Sequence, residues 1–371
     1  MIALHIFFDK GGFFSSKSIE ITEKIAPLTH YYYFQNKREK NDENIQIIDN
    51  ENQIIELIKD GKISKVIFHS LHYFQFKLIN RIRYAQPENQ KVIVAWYFWS
   101  FEYYQLPFNV SSCYGKFSSQ FNLRKRISIV YENLNHYFKG NVKSPFLLTK
   151  SNHANFIQSI DEFYSFIEDD YTTIFKDSTL KKFNFISYLS LSDLDNTISN
   201  DWTDESIMIG HNGSPLLNHY EVLQFLNKIQ PDEKIVLPLN YGKKEYINKL
   251  KIKINNELKL DVVFLENRLP LSEYYGLLSS VSVFFLNSYF QQGLGNIVFF
   301  LLNGTSIYLS EKSSTYKTLI NKGFIVFSIE EVYRNKSIRK MKDDEKVLNK
   351  NKIKSLISAD EVEKQWKKLL S

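Results

Sequence analysis

Short apolar runs alternate along the chain with longer segments in which apolar residues recur every three or four positions. In the first half, residues 2–8, 31–34, 66–69, 92–97, 154–158 and 185–188 read as strands. Between them, residues 19–25, 52–58 and 74–83 have the spacing of helices packed on a sheet. Alternation of this kind predicts a parallel sheet with crossover helices. Residues 190–205 are polar and acidic, carry neither periodicity, and lie near the middle of the chain. After them the alternation restarts. Strands are expected at 206–210, 235–239, 261–265, 283–286, 306–309 and 325–327, with helices at 219–229, 244–255, 271–279, 295–302 and 314–321.

The organisation that follows is an N-terminal domain over 1–190, a linker over 191–205 and a C-terminal domain over 206–355. A last helix within 356–371 is expected to pack back toward the linker. The class is α/β, with two Rossmann-like, doubly wound domains facing a central cleft. Ligands of open α/β sheets bind at the carboxyl ends of the strands, so the loops there are where chemistry is sought.

Composition narrows the picture. With 43% hydrophobic and 24% charged residues over 371 positions, the chain can bury two cores. A net charge of +6 is too small to argue for nucleic acid, which calls for a concentrated basic stripe. Cys113 is the single cysteine, which excludes an internal disulfide and a cysteine-rich metal site and fits a reducing cytoplasm. The first apolar run meets Asp9 and Lys10 at once, unlike a signal peptide. No run reaches the roughly 18 apolar residues of a membrane span, so any membrane contact is expected to be peripheral.

Two glycine-bearing loops stand out in the second half. Gly210-His211-Asn212-Gly213-Ser214 joins a strand to a helix, where glycines allow close backbone approach and a helix start offers N–H groups to an anion; it also reads as a plain packing turn. Gln291-Gln292-Gly293-Leu294-Gly295-Asn296 places two amide side chains ahead of two glycines at the start of an apolar helix. Glycine costs a helix about 1 kcal/mol relative to alanine, so the pair asks for a reason: a ligand, which would also use the amides, ahead of a tight turn with caps. Pro238-Leu239-Asn240-Tyr241-Gly242 ends another strand on the same rim.

In the first half, Trp96-Tyr97-Phe98-Trp99-Ser100-Phe101-Glu102 ends a strand with an acid among aromatics. Desolvation there would raise the Glu102 pKa toward that of a general base; an exposed acid after a core strand is the alternative. Lys10, Gly11, Gly12 and His69 also follow or end strands on the cleft side. Residues 101–143 interleave aromatics (Phe108, Phe117, Phe121, Tyr131, Phe138) with bases such as Lys116, Arg124 and Lys139, a mix suited to anionic lipid headgroups, to a domain surface with snorkelling lysines, or to single-stranded nucleic acid. Glu168-Asp169-Asp170 reads as a solvated charge run. No His-Glu helix motif, Cys cluster or P-loop is present, so neither metal nor cofactor is expected.

At these residues the chain resembles the bacterial 4-acetamido-4,6-dideoxygalactose (Fuc4NAc) transferases of enterobacterial common antigen synthesis, glycosyltransferase family 56. The resemblance is carried by Ile209-Gly210-His211-Asn212-Gly213 with His219, by Val236-Leu237-Pro238 with Tyr241, by Tyr274, and above all by Gln291-Gln292-Gly293-Leu294-Gly295. In the first half it rests on Phe68-His69 and on Trp96, Trp99 and Tyr104. Ser100 and Glu102 depart from the family's Gly and Asp, and Ser214 replaces an acid. The resemblance implies a GT-B fold, a TDP-linked deoxyamino sugar as donor, and an acceptor glycan on undecaprenyl diphosphate at the inner face of the cytoplasmic membrane. It places Gly210, Asn212, Gly213, His219, Pro238, Asn240, Tyr241, Tyr274, Gln291, Gln292, Gly293, Gly295 and Asn296 at the donor, with Lys10, Gly11, Gly12, His69, Trp96 and Trp99 on the acceptor side and Glu102 as base. A nucleotide-sugar epimerase or hydrolase, or a non-catalytic membrane- or nucleic-acid-binding module, is the alternative on this architecture.

Overall fold

The computed structural model of the chain describes residues 2–8, 12–35, 45–72, 75–106, 108–121, 127–128, 130–131, 134–135, 138, 150–176, 182–194 and 205–371. Asp9, Lys10, Gly11, Arg124 and Lys139, and most of the expected linker, lie outside them. The chain divides into two compact units. Unit 1 comprises Met1–Phe108, Ile127–Tyr188 and Ala359–Ser371; unit 2 comprises Asn109–Arg126 and Leu189–Ser358.

Unit 1 is built on a parallel sheet of seven strands, β1 (Ala3–Phe7), β2 (Tyr31–Phe34), β3 (Gln46–Ile48), β4 (Lys65–His69), β5 (Ile93–Tyr97), β6 (Glu162–Ser165) and β7 (Phe183–Phe185), in the order β3-β2-β1-β4-β5-β6-β7. All five residues of β1 and of β4 are buried, as expected where helices cover both sheet faces. The crossover helix Glu51–Lys59 starts where the Asn50 side chain accepts hydrogen bonds from the Asn52 and Gln53 amides, and it buries Ile54 and Ile58. The C-terminal helix Ala359–Leu370 belongs to this unit. Its Trp366 is fully buried, with Nε1 donating to the Ser187 carbonyl at 2.8 Å, and the Gln365 side chain accepts from the Ser187 amide.

Three readings of the first half are corrected. Residues 154–158 are not a strand: the helix Lys150–Ile157 occupies that stretch, and the sixth strand is Glu162–Ser165, fixed by the buried Lys65, whose ammonium pairs with Glu162 at 2.8 Å. The seventh strand sits at Phe183–Phe185, ahead of the expected 185–188. The run Glu168–Asp170 opens the helix Glu168–Ile174, where acids suit the positive end of the dipole. Asp170 is buried rather than solvated and accepts from the Tyr104 hydroxyl at 2.7 Å.

Unit 2 carries a six-stranded parallel sheet: β8 (Ser206–Ile209), β9 (Lys234–Pro238), β10 (Val262–Leu265), β11 (Val281–Leu286), β12 (Ser306–Leu309) and β13 (Phe327–Ser328), ordered β10-β9-β8-β11-β12-β13. From β8 the chain winds outward through β9 and β10, then returns to lay β11 on the other side of β8. The gap between the ends of β8 and β11 is therefore the topological switch point of this sheet. The helix Leu294–Asn303 is apolar nearly all round because it is covered on both sides, by the sheet and by the helix Asp343–Ile357. Residues 109–126, expected in the first domain, group with this unit.

Candidate functional site

Three loops of unit 2 meet at the switch point. Gly210 leaves β8 with φ +67, and a methyl group there would stand 2.5 Å from His219 Nε2, so only glycine lets the chain turn over that ring. His219 itself is fully buried, with Nδ1 2.8 Å from the Tyr246 hydroxyl. Burial, then the neighbouring His211, lower its pKa to about 3, which keeps it neutral. Its ring lies beneath the loop at Gly210.

The Gly213 amide donates to the Tyr241 carbonyl at 2.7 Å, and its own carbonyl accepts from the Lys243 amide, in a parallel bridge to Gly242. This locks the loop after β8 to the loop after β9 and commits the Gly213 N–H that the sequence offered to an anion. Pro238 is buried as the last residue of β9. Beyond it, Asn240 Oδ1 is buried without a hydrogen-bond partner, and Tyr241 is 58% exposed at the rim. Ser214 caps the short turn Pro215–Leu217, and Asn212 Oδ1 accepts from the Ser214 amide at 2.8 Å.

The loop after β11 lies alongside. Gly293 (φ +60) is the N-cap of the helix Leu294–Asn303, and a methyl group on it would lie 2.9 Å from His211 Nδ1. Gly293 has no side chain to cap this helix, so the first amides, of Leu294, Gly295 and Asn296, have no partner within the helix. Gln292 donates to Ser288 Oγ at 2.8 Å, and Gln291 is buried beside it. Asn296 donates to the Tyr274 hydroxyl at 2.8 Å, and Tyr274 senses Tyr241 electrostatically, so the helix Leu271–Ser280 joins the same cluster. The expected donor residues thus fall into two layers: Gly210, Asn212, Gly213, His219 and Pro238 build the loops, while Asn240, Tyr241, Tyr274, Gln291, Gln292, Gly293, Gly295 and Asn296 line their rim. Among the described residues, no group of three or more His, Cys, Asp or Glu could hold a metal ion.

In unit 1 the corresponding strand ends carry a different chemistry. His69 ends β4 inside the core, with Nε2 2.9 Å from His5 Nδ1 and its ring stacked on Phe7; burial drops its pKa to about 3. Trp96 is buried edge-on to Phe98 and Phe163. Both serve packing. Trp99 lies higher, against Tyr97, Phe14 and Tyr188, and Gly12 opens the helix Phe13–Ile25 whose first two rings, Phe13 and Phe14, are exposed.

Glu102 is buried on a four-residue helical turn that starts at Ser100. Its Oε1 accepts from the Trp99 amide at 2.9 Å and from Trp96 Nε1 at 3.2 Å; its Oε2 is buried with no partner. Burial raises the pKa to about 7 against the opposing pull of those hydrogen bonds, with nearby Asp170 adding to the rise. Ser100 adopts φ +84, a region glycine prefers, which gives the physical reason for a glycine at this place in the family pattern.

Asn218, Glu221, Asn287 and Ser288 were missed from sequence. Asn218 precedes a helix start, an N-cap signal, but nothing local announces its partners. Of the aromatic-basic stretch, Phe117 and Phe121 pack on Tyr220 and Tyr246 of unit 2, whereas Tyr131 and Phe138 are exposed. No helix among the described residues is long and apolar enough to cross a membrane.

Solved structures share this architecture. Anabaena HepE, crystallised with UDP and glucose, is 11% identical with a TM-score of 0.61, covering 100% of this chain and 99% of its own. The lipopolysaccharide outer core galactosyltransferase WaaB is 9% identical with a TM-score of 0.59, over 99% and 98% of the two chains. The N-terminal domain of Candida albicans trehalose-6-phosphate phosphatase is 10% identical with a TM-score of 0.54, over 100% and 96%. No curated protein sequence matches the chain. The fold is GT-B, two Rossmann-like domains in one chain. Residues 184–371 match the family described as 4-alpha-L-fucosyltransferase, glycosyl transferase group 56, and the chain belongs to that family of enzymes: it is a glycosyltransferase.

Proposed function

We propose that this glycosyltransferase moves a deoxyamino sugar such as Fuc4NAc from a TDP-linked donor to a glycan carried on undecaprenyl diphosphate, without a metal, at the inner face of the cytoplasmic membrane. The observation that carries the donor assignment is the uncapped start of the helix Leu294–Asn303, open at the switch point between the loops after β8, β9 and β11. Three amides and the positive end of the helix dipole there suit a diphosphate. Anabaena HepE, of the same fold, was crystallised with UDP-glucose, which supports a nucleotide-sugar donor. Tyr241, Tyr274, Asn240 and Asn296 surround the nucleoside in this reading, and Gln291 and Gln292 reach the sugar.

In the reaction, the acceptor hydroxyl oxygen bonds to the anomeric carbon as the bond from that carbon to the diphosphate oxygen breaks. The electron pair leaves with the diphosphate, whose charge the helix start stabilises in place of a cation. Glu102 takes the hydroxyl proton: its pKa near 7 and its uncommitted Oε2 suit a base working near neutrality. On the acceptor side, Gly12 and Trp99 present surface, while His69 and Trp96 shape it from beneath. The exposed Tyr131 and Phe138, among the bases of residues 101–143, suit the headgroup region of an anionic bilayer.

The test is transfer from TDP-Fuc4NAc to an undecaprenyl-diphosphate-linked glycan in anionic vesicles, with excess EDTA in one arm. Glycan extension in both arms supports the reading. TDP release without acceptor would mark a hydrolase, and loss of transfer in EDTA would overturn metal independence.

A further inference from the structure

Residues 109–121 leave unit 1 in sequence after β5 and pack wholly within unit 2. What they hold there is one asparagine. Asn218 adopts the left-handed conformation (φ 47, ψ 45) at the start of the helix His219–Ile229 and is fully buried. Its Oδ1 accepts from the Gly115 amide at 2.7 Å. Its Nδ2 donates to the Cys113 carbonyl at 3.2 Å and to the Asn287 carbonyl at 2.9 Å, and Asn287 Nδ2 returns a bond to the Asn218 carbonyl. One side chain therefore ties the loop after β8 to the loop after β11, the two walls of the switch point, and fastens both to the segment 113–115.

Glu221, one turn further along the helix, completes the hold. Its Oε1 accepts from the Phe117 amide at 2.8 Å, and Phe117 packs on Tyr220 at 4.8 Å between ring centres. A methyl group at Gly115 would overlap the Glu221 carboxylate, so a side chain there forces the carboxylate or the strap to shift. The start of the helix His219–Ile229 is thereby closed by protein, in contrast to the open start of Leu294–Asn303.

We propose that residues 113–118 form a strap that sets the spacing of the two donor loops through Asn218 and Glu221, and that Asn218 is a positioning residue for nucleotide binding. That last consequence rests on the donor reading above; the ordering of the loops does not. The strap has two separable handles. Asn218→Gly keeps the left-handed backbone without strain and removes all side-chain bonds. Gly115→Ala displaces the strap while leaving both donor loops intact in sequence. Glu221→Gln retains an oxygen for the Phe117 amide and serves as the conservative control.

Full-length wild type and the three variants are compared by hydrogen exchange of the 287–293 amides in the free protein and by calorimetric titration with UDP and with TDP. The expected result is faster exchange at 287–293 in Asn218→Gly and Gly115→Ala, with β8 and β11 as protected as in wild type. Nucleotide affinity should fall by at least about tenfold in those two, equivalent to about 1.4 kcal/mol, and stay near wild type in Glu221→Gln. Unchanged exchange at 287–293 in both Asn218→Gly and Gly115→Ala overturns the strap, whatever the nucleotide does. Faster exchange with undiminished affinity overturns Asn218 as a positioning residue. Should wild type bind neither nucleotide, the donor reading fails while the exchange data still decide the strap; a variant that does not fold leaves the other to decide it.

Discussion

Replacing Glu102 by glutamine separates its two roles. The side chain keeps its shape, and the new Oε1 can still accept from the Trp99 amide and Trp96 Nε1, so the turn beginning at Ser100 should persist. What disappears is the proton acceptor. A carboxyl group whose pKa rises from 4.5 to about 7 on folding carries a penalty of about 3 kcal/mol on its charged form. The sign follows from proton binding: the folded state binds this proton more tightly than the unfolded state. Wild type therefore loses stability as pH rises from about 4.5 through 7, a loss that glutamine does not suffer. Relative to wild type, Glu102→Gln should match in urea denaturation at pH 4.5 and gain up to about 3 kcal/mol at pH 8. Over the same range, the wild-type kcat/KM should climb with an apparent pKa near 7, and the variant should be slower by about 10²–10⁴-fold, the usual share of general base catalysis. An inactive protein that is more stable at pH 8 is the signature. Turnover within a few fold of wild type would refute the base, and lower stability of the variant at every pH would make Glu102 a structural anchor of the turn only.

Three further substitutions probe the frame. Gly210→Ala forces a side chain into a left-handed position and against His219, and should cost about 2–4 kcal/mol in denaturant unfolding monitored within unit 2. Trp366→Ala empties a fully buried site and removes the donor to Ser187, so a loss of about 3–5 kcal/mol is expected, with exchange protection falling in β5 and β6 and remaining in β8 and β11. Tyr241→Ala at an exposed rim position should leave stability within about 0.5 kcal/mol while weakening TDP binding by about 1–3 kcal/mol, measured by calorimetry.

Much of the fold was legible because parallel strands buried on both faces print as apolar runs, and unit 2 reads this way from Ser206 to Leu309. The misread stretch, 154–158, is a short apolar cluster, which periodicity alone cannot assign to helix or strand. The adjacent β6 was hidden because it opens on Glu162, a charge whose partner, the buried Lys65, is nearly a hundred residues away in sequence. The glycine loops were legible because left-handed backbone at Gly210 and Gly293 leaves a compositional mark. The burial and raised pKa of Glu102 were legible as an acid standing among aromatics. The two layers of the switch-point cluster were not visible: His219 and Gln291 look alike as polar residues near glycines, and only the three-dimensional arrangement puts the first beneath the loop. Asn218 gave no more than a helix-start signal, since its partners Gly115, Cys113 and Asn287 lie 69 to 105 positions away along the chain.

In the proposed function, the switch point of unit 2 binds the nucleoside diphosphate of a sugar donor. Gly293 is the residue whose replacement strikes it most directly, since a side chain there meets His211 and distorts the helix start without touching the sheet core. TDP and UDP titrated calorimetrically into wild type and Gly293→Val should show binding to the wild type and a loss of at least about a hundredfold in the variant, roughly 2.7 kcal/mol, at unchanged folding of both units. Equal affinity of the two proteins, or failure of the wild type to bind any nucleoside diphosphate, would rule out a donor site at this helix start.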